Sequence, residues 1–161
     1  MATQQPLPDK EKLARLDTIR TLLQTKGYEV WNISPSATVY EAIEQMAIKR
    51  VGALPVMSQE TLVGIVSERD YARKVILQGR SSHETLVHEI MTPSPVVVTP
   101  DQTVHECLQI MTLRRIRHLP VVDDGRLSGI ISIGDLVKSI IATQEFTIDQ
   151  LHTYIAETYP A

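Results

Sequence analysis

The sequence predicts an α+β fold of two β-α-β-β-α repeats related by a pseudo-twofold, with a helix at each end. Three observations predict it. A shift of 65 residues lays Pro35–Asp70 onto Pro100–Asp135 without a gap, and fourteen of the 36 positions are identical. Chance gives about two, so the chain is an internal duplication. Each copy holds two β-branched-rich runs split by turn formers, the pattern of a hairpin. Between and outside the hairpins, apolar residues recur at helical spacing. One copy alone leaves an apolar sheet face uncovered, so two are expected to pack together about a pseudo-twofold axis.

In chain order, residues 1–8 are polar and expected to fray. Leu13, Leu16, Ile19, Leu22 and Leu23 predict a helix over Asp9–Gln24, with Asp9 as its cap and Gly27 as its stop. Tyr28–Ile33 reads as extended. Val39, Ala42, Ile43, Met46 and Ala47 predict a helix over Val39–Arg50. Val51–Met57 and Leu62–Val66 predict strands joined at Ser58–Thr61. Ser67–Asp70 opens a helix to about Leu77, and Gln78–His83 is rich in turn formers. Val96–Val98 reads as the next strand, after which the pattern repeats. The tail from Ile140 lies outside the repeat, and Phe146, Ile148, Leu151, Tyr154 and Ile155 form an apolar stripe. That stripe suits a homodimer contact or packing on the chain's own core. The expected division is 1–26 N-terminal helical segment, 27–80 first repeat, 81–142 second repeat and 143–161 C-terminal helical tail.

Composition narrows the function. Apolar residues make up 43% of the 161 positions and the formal net charge is −3. This argues against disorder and against a general nucleic-acid binder, which is usually clearly basic. No apolar run approaches a bilayer span, and residues 1–16 contain no signal-peptide h-region. Cys107 is the sole cysteine, so no intrachain disulfide can form, and a reducing cytoplasm is expected.

Asp70 and Asp135 each stand at a helix start, three residues after Ser67 and Ser132. A carboxylate there can accept hydrogen bonds from both hydroxyls of a ribose. The serine hydroxyl and free helix N–H groups can face a phosphate. The plainer use of S-x-x-D is an N-cap, but its recurrence inside the same strand–turn–strand frame favours a ligand. Arg115, Arg117 and His118 precede Leu119-Pro120, and guanidinium groups bind phosphate bidentately. A solvated charge cluster is the alternative. Arg50 matches Arg115, but Gly52 and Ala53 replace Arg117 and His118, so the two sites are expected to differ in affinity. Arg69 is a cation at a helix start, where the macrodipole disfavours it. A phosphate contact and an exposed first-turn arginine both account for it. Val51, Ile65, Val96, Ile116 and Ile130 are candidates for an apolar purine slot, or are simply core.

The element order, with hLPVhD-x-x-x-hxGhhS-x-x-D in each copy, resembles the CBS domain over about Gly27–Ile141. Two in tandem resemble the Bateman module, and most of all the stand-alone bacterial pairs. The resemblance implies a disc with two clefts shared between the repeats. Each would bind an adenosyl ligand, with Asp70 and Asp135 on ribose, and occupancy would regulate a partner protein. The family's Met-Thr before the first strand appears as Met91-Thr92 in the second repeat. Lys26-Gly27 stands there in the first, so Thr92 is a candidate contact and Lys26 contacts phosphate or nothing.

Catalysis finds little to build on. His105 and Cys107 are two apart on an expected helix and face different ways. Neither a P-loop nor a GxGxxG is present. Cys107 falls at an apolar helix position, which suits a buried, inert thiol better than a nucleophile. The expectation is a non-enzymatic, homodimeric regulatory module. It senses AMP, ATP or NAD, with S-adenosylmethionine disfavoured by the cations, and signals to an unidentified protein without nucleic acid or membrane. A ligand-independent interaction protein is the alternative.

Overall fold

The computed structural model of the protein describes residues 17–158. The elements in order are α1 (Ile19–Lys26), α2 (Val39–Lys49), β1 (Ala53–Ser58), β2 (Thr61–Ser67) and α3 (Glu68–Tyr71). A π-helical turn (Ala72–Ile76), α4 (Val87–Ile90), β3 (Thr92–Pro93) and α5 (Val104–Arg114) come next. The last described elements are β4 (His118–Asp123), β5 (Arg126–Ser132) and α6 (Ile133–Thr158). The fold is α+β. No helix among the described residues is long and apolar enough to cross a membrane.

The chain forms two compact units. One gathers the residues up to Gly27, Thr99–Arg117 and those from Ile131 onward; the other holds Tyr28–Val98 and His118–Ile130.

The first unit is helical, with α6 packed on α1 and α5. Ile19, Leu22, Leu23, Val104, Cys107, Met111 and Leu136 are buried. The helix expected over Asp9–Gln24 is interrupted here. Thr18 is extended, and its hydroxyl accepts the Thr21 N–H at 3.3 Å, so the helix begins at Ile19. The cause is tertiary. Thr18 bridges Thr103, the Asp17 carbonyl accepts the Val104 N–H, and the Ile19 N–H binds the Gln102 carbonyl. The Asp9 cap, Leu13, Leu16 and residues 1–8 lie outside the described residues. α6 runs unbroken through residue 143. Phe146, Ile148, Leu151 and Ile155 of its tail stripe are all exposed.

The second unit is built on an antiparallel sheet in the order β1-β2-β3. Its core is Val39, Ala42 and Met46 from one face of α2, Leu54, Val56 and Val66 from inner positions of the strands, Val75 from the π-helical turn, and Val87 and Ile90 from α4. The predicted strand at Val96–Val98 reduces to one parallel bridge, Val98 to Val121, and Tyr28–Ile33 to one bridge, Ile33 to Val56. Pro93 and Pro95 flank Ser94 at φ +45°, which holds the segment off a continuous ladder. β4 and β5 pair as a two-stranded sheet. Their turn, Asp124-Gly125, has positive φ at both residues, as the right-handed strand twist favours.

The duplication is visible in the caps. Thr38 with Glu41 and Thr103 with Glu106 form matching capping boxes. Both helices end with an arginine in the left-handed region, Arg50 at φ 55° and Arg115 at φ 53°. The next N–H reaches five residues back, Val51 to Met46 and Ile116 to Met111. Glycine is the usual residue at that position, yet both copies carry arginine.

Candidate ligand site

The two S-x-x-D segments take the same local structure. In the second unit the Ser67 N–H donates to Asp70 Oδ2 at 2.9 Å, and the Asp70 N–H returns a bond to Ser67 Oγ at 3.2 Å. In the first unit the Ser132 N–H donates to Asp135 Oδ2 at 2.8 Å, and the Asp135 N–H to Ser132 Oγ at 3.2 Å. The cap is therefore real in both copies, and each carboxylate is held half-buried by its own helix start. One further bond recurs. The Gly52 carbonyl accepts the Glu68 N–H at 3.0 Å, and the Arg117 carbonyl accepts the Ile133 N–H at 2.9 Å. The strand-start residues are thereby fixed beside the carboxylate of their own repeat.

Both carboxylates hold a lysine, but from different places. Lys26 Nζ, on the last residue of α1, donates to Asp135 Oδ2 at 2.7 Å. Lys74 Nζ lies 3.1 Å from Asp70 Oδ1 and donates to the Ile90 carbonyl at 2.8 Å. Burial would raise the Asp135 pKa. The Lys26 hydrogen bond, the Ser132 N–H and the Lys26 charge together outweigh it and hold the carboxyl below its ordinary value. The Lys26 and Ser132 N–H bonds to Asp135 both fall on Oδ2, whereas both oxygens of Asp70 are engaged.

The remaining predicted residues divide between the units. Lys26, Arg115, Ile116, Arg117, Ser132 and Asp135 fall in the first. Arg50, Val51, Gly52, Ile65, Ser67, Arg69, Asp70, Thr92, Val96, His118 and Ile130 fall in the second. Arg50, Arg69, Thr92, Arg115 and Arg117 are exposed. Thr92 pairs with Ile65 across β2 and β3. The His118 ring lies against the bare Cα of Gly52, so a Cβ there would meet it at 3.3 Å. Val51, Ile65, Val96, Ile116 and Ile130 are all half-buried, not fully enclosed core. Lys74 is the residue that the sequence reading missed, and its spacing of four from Asp70 on a helix was the available signal. Cys107 is fully buried, and burial pushes its thiol up to about 11. Among the described residues no group of three or more His, Cys, Asp or Glu is placed to hold a metal.

The comparison with known families matches this repeated geometry. The CBS-domain model fits residues 26–76 and again 87–142. The chain belongs to the CBS-domain family. It is similar to the CBS domain-containing protein CBSX3, mitochondrial, of Arabidopsis thaliana, with 38% identity over 96% of this chain and 80% of that protein. Among solved structures, it resembles a putative signal-transduction protein with CBS domains from Burkholderia ambifaria MC40-6. The identity is 50% and the TM-score 0.76, covering 79% of this chain and 96% of that one. It also resembles CBSX2 solved in complex with AMP, at 28% identity and TM-score 0.64, covering 78% of this chain and 97% of that one. The chain is thus a tandem CBS pair, and its relatives are described as CBS-domain proteins.

Proposed function

We propose that this tandem CBS pair is a non-catalytic cytoplasmic sensor of an adenine nucleotide (AMP, ATP or NAD), and that occupancy is passed to a partner protein. The observation that carries the reading is the Asp135 carboxylate. It is half-buried and pre-oriented by its own helix start, and its Lys26 and Ser132 N–H bonds both fall on Oδ2. An ionised acceptor held in this way suits a ribose diol. Asp70 repeats the capped, half-buried carboxylate, with Lys74 on Oδ1 and the cap on Oδ2. Arg50, Arg69, Arg115, Arg117 and His118 supply phosphate contacts, with Ser67, Ser132, Gly52 and Thr92 as polar contacts nearby. The half-buried Val51, Ile65, Val96, Ile116 and Ile130 supply the purine slot. Retention of arginine in the left-handed region at both Arg50 and Arg115 supports a role for their side chains, since that conformation costs about 1–2 kcal/mol for a residue with a Cβ. AMP in the related CBSX2 supports the ligand class. The exposed stripe on α6 supports a homodimer in which the signal is a change of packing, to the extent that ligand prefers one state.

The test is a thermal-shift screen with AMP, ATP, NAD and S-adenosylmethionine, followed by calorimetric titration. At least one nucleotide should stabilise the protein by mass action. Asp135→Ala should weaken its binding about ten- to a hundredfold, the loss of one or two charged hydrogen bonds. Titrations unchanged in both Asp70→Ala and Asp135→Ala would remove the ribose assignment.

A further inference from the structure

α6 carries a pattern that neither the duplication nor the ligand site uses. Ile141, Ile148 and Ile155 recur every seven residues, and Val137, Gln144 and Leu151 stand four residues before each. These are the a and d positions of a heptad repeat. The five apolar ones are each 45–52% exposed, on one unbroken helix. The buried and half-buried positions of the same stretch, Leu136, Ser139, Ile140, Thr143 and Thr147, lie about a quarter turn round from them. The docking of α6 on α1 and α5 therefore leaves this seam uncovered. An α-helix drifts only about 20° per heptad, so the seam stays on one side over about 27 Å, from Val137 to Ile155. The CBS match stops at residue 142, and most of the seam lies past it.

The residues beside the seam say what fits it. A membrane surface does not. After Lys138, α6 has no lysine or arginine, and its charged residues are Glu145, Asp149 and Glu157, whereas a helix that lies on lipid carries cations on its polar face. A second copy of the same helix does fit. β-branched residues at a with leucine at d favour two parallel strands. In a parallel pair each layer meets itself, so Gln144 meets Gln144 of the second copy and the two amides can donate to and accept from each other. The flanking g and e positions then bring Ile140 to Glu145 and Thr147 to His152, with no like charges together. The antiparallel register that keeps all the layers sets Gln144 against Ile148 and leaves its amide without a partner. It also sets Glu145 against Glu145, and Lys138 against His152.

Resting on the homodimer reading above, we propose that two copies join along Val137–Ile155 of α6 as a parallel, in-register two-stranded coiled coil. The isoleucine and leucine layers supply the affinity, and Gln144 fixes the register at some cost in stability. Phe146 falls at the outward f position and takes no part.

Sedimentation equilibrium of the full chain over a concentration series tests the contact. Wild type should dimerise. Ile148→Glu and Leu151→Glu keep a good helix former but place a carboxylate in the seam, and each should raise the dissociation constant at least about tenfold. Gln144→Leu should lower it about tenfold. Phe146→Ser removes an exposed apolar side chain off the seam and should leave it unchanged. Circular dichroism melts check that each variant is folded. Orientation is read from Gln144→Cys, which should form an interchain disulfide on mild oxidation, while wild type, whose one thiol is buried, should not. A mixture of Gln144→Cys and Ile148→Cys that cross-links between the two variants in preference to Gln144→Cys with itself overturns the parallel register. A dimer that Ile148→Glu and Leu151→Glu leave intact, or that Phe146→Ser weakens as much as they do, overturns the seam and leaves the homodimer reading standing. A wild type that stays monomeric across the series overturns both.

Discussion

Gly64 offers a sharp test of how the sheet frames the Asp70 site. It is buried in β2, next to Ile65, and faces Pro93 of β3 across the ladder. A Cβ at Gly64 would lie 2.5 Å from Met91 Sδ, 3.1 Å from Met91 Cγ and 2.9 Å from the Thr92 carbonyl oxygen. The methionine can swing aside, but the Thr92 carbonyl belongs to the pairing that carries Ile65 opposite Thr92. Gly64→Ala must therefore shift β3 or break that pairing. Overpacking of this kind costs about 1–3 kcal/mol. Loss of glycine's unfolded-state entropy returns about 0.4–1 kcal/mol. The net expectation is a destabilisation of about 1–2 kcal/mol, a fall in Tm of about 2–8 °C for a chain of this size. Urea unfolding measures it, and amide chemical shifts at Ile65 and Thr92 report where the strain goes. Gly64→Ala combined with Met91→Ala separates the two contacts, since it relieves the sulfur but not the carbonyl. A stability change within about 0.5 kcal/mol, or a gain, would refute the close approach of β3 to β2.

Two further outcomes follow from the titrating groups. With its thiol pushed up to about 11 and fully buried, Cys107 should react negligibly with a disulfide reagent at pH 8 until the protein is unfolded by urea; rapid native-state reaction would contradict its burial. Asp135 is held below its ordinary pKa, so its contribution to stability is full above the unfolded value, about 3.9, and is lost as pH falls through the folded one. The stability gap between wild type and Lys26→Met, from urea melts at pH 7 and pH 3, should therefore shrink on acidification. A gap that widened would show that the ion pair is not its source.

Much of the fold was legible because its determinants are local. Thr38 with Glu41 and Ser67 with Asp70 are three-residue relations, and the hairpin at Ser58–Thr61 is set by neighbours in sequence. The misreadings fall where distant residues override local pattern. Leucine periodicity favours one helix through Asp17–Thr18, but hydrogen bonds to Gln102, Thr103 and Val104 hold that backbone extended. Val96–Val98 has strand propensity without a strand's ladder, because propensity does not supply a partner edge.

The candidate site divides in the same way. By itself, the sequence determined the duplication, the two S-x-x-D segments and the inequality of Arg117-His118 with Gly52-Ala53, since each needs only residue identity at a fixed offset. Only the tertiary structure decided which cation meets which carboxylate. Lys26 follows no helical or strand spacing to Asp135, and its 2.7 Å contact exists because α1 docks on α6. Lys74 was within reach of a spacing rule, but its second bond, to the Ile90 carbonyl, depends on where α4 packs. An ion pair is a matter of a few ångströms, and only the folded core brings residues so far apart in sequence within that distance.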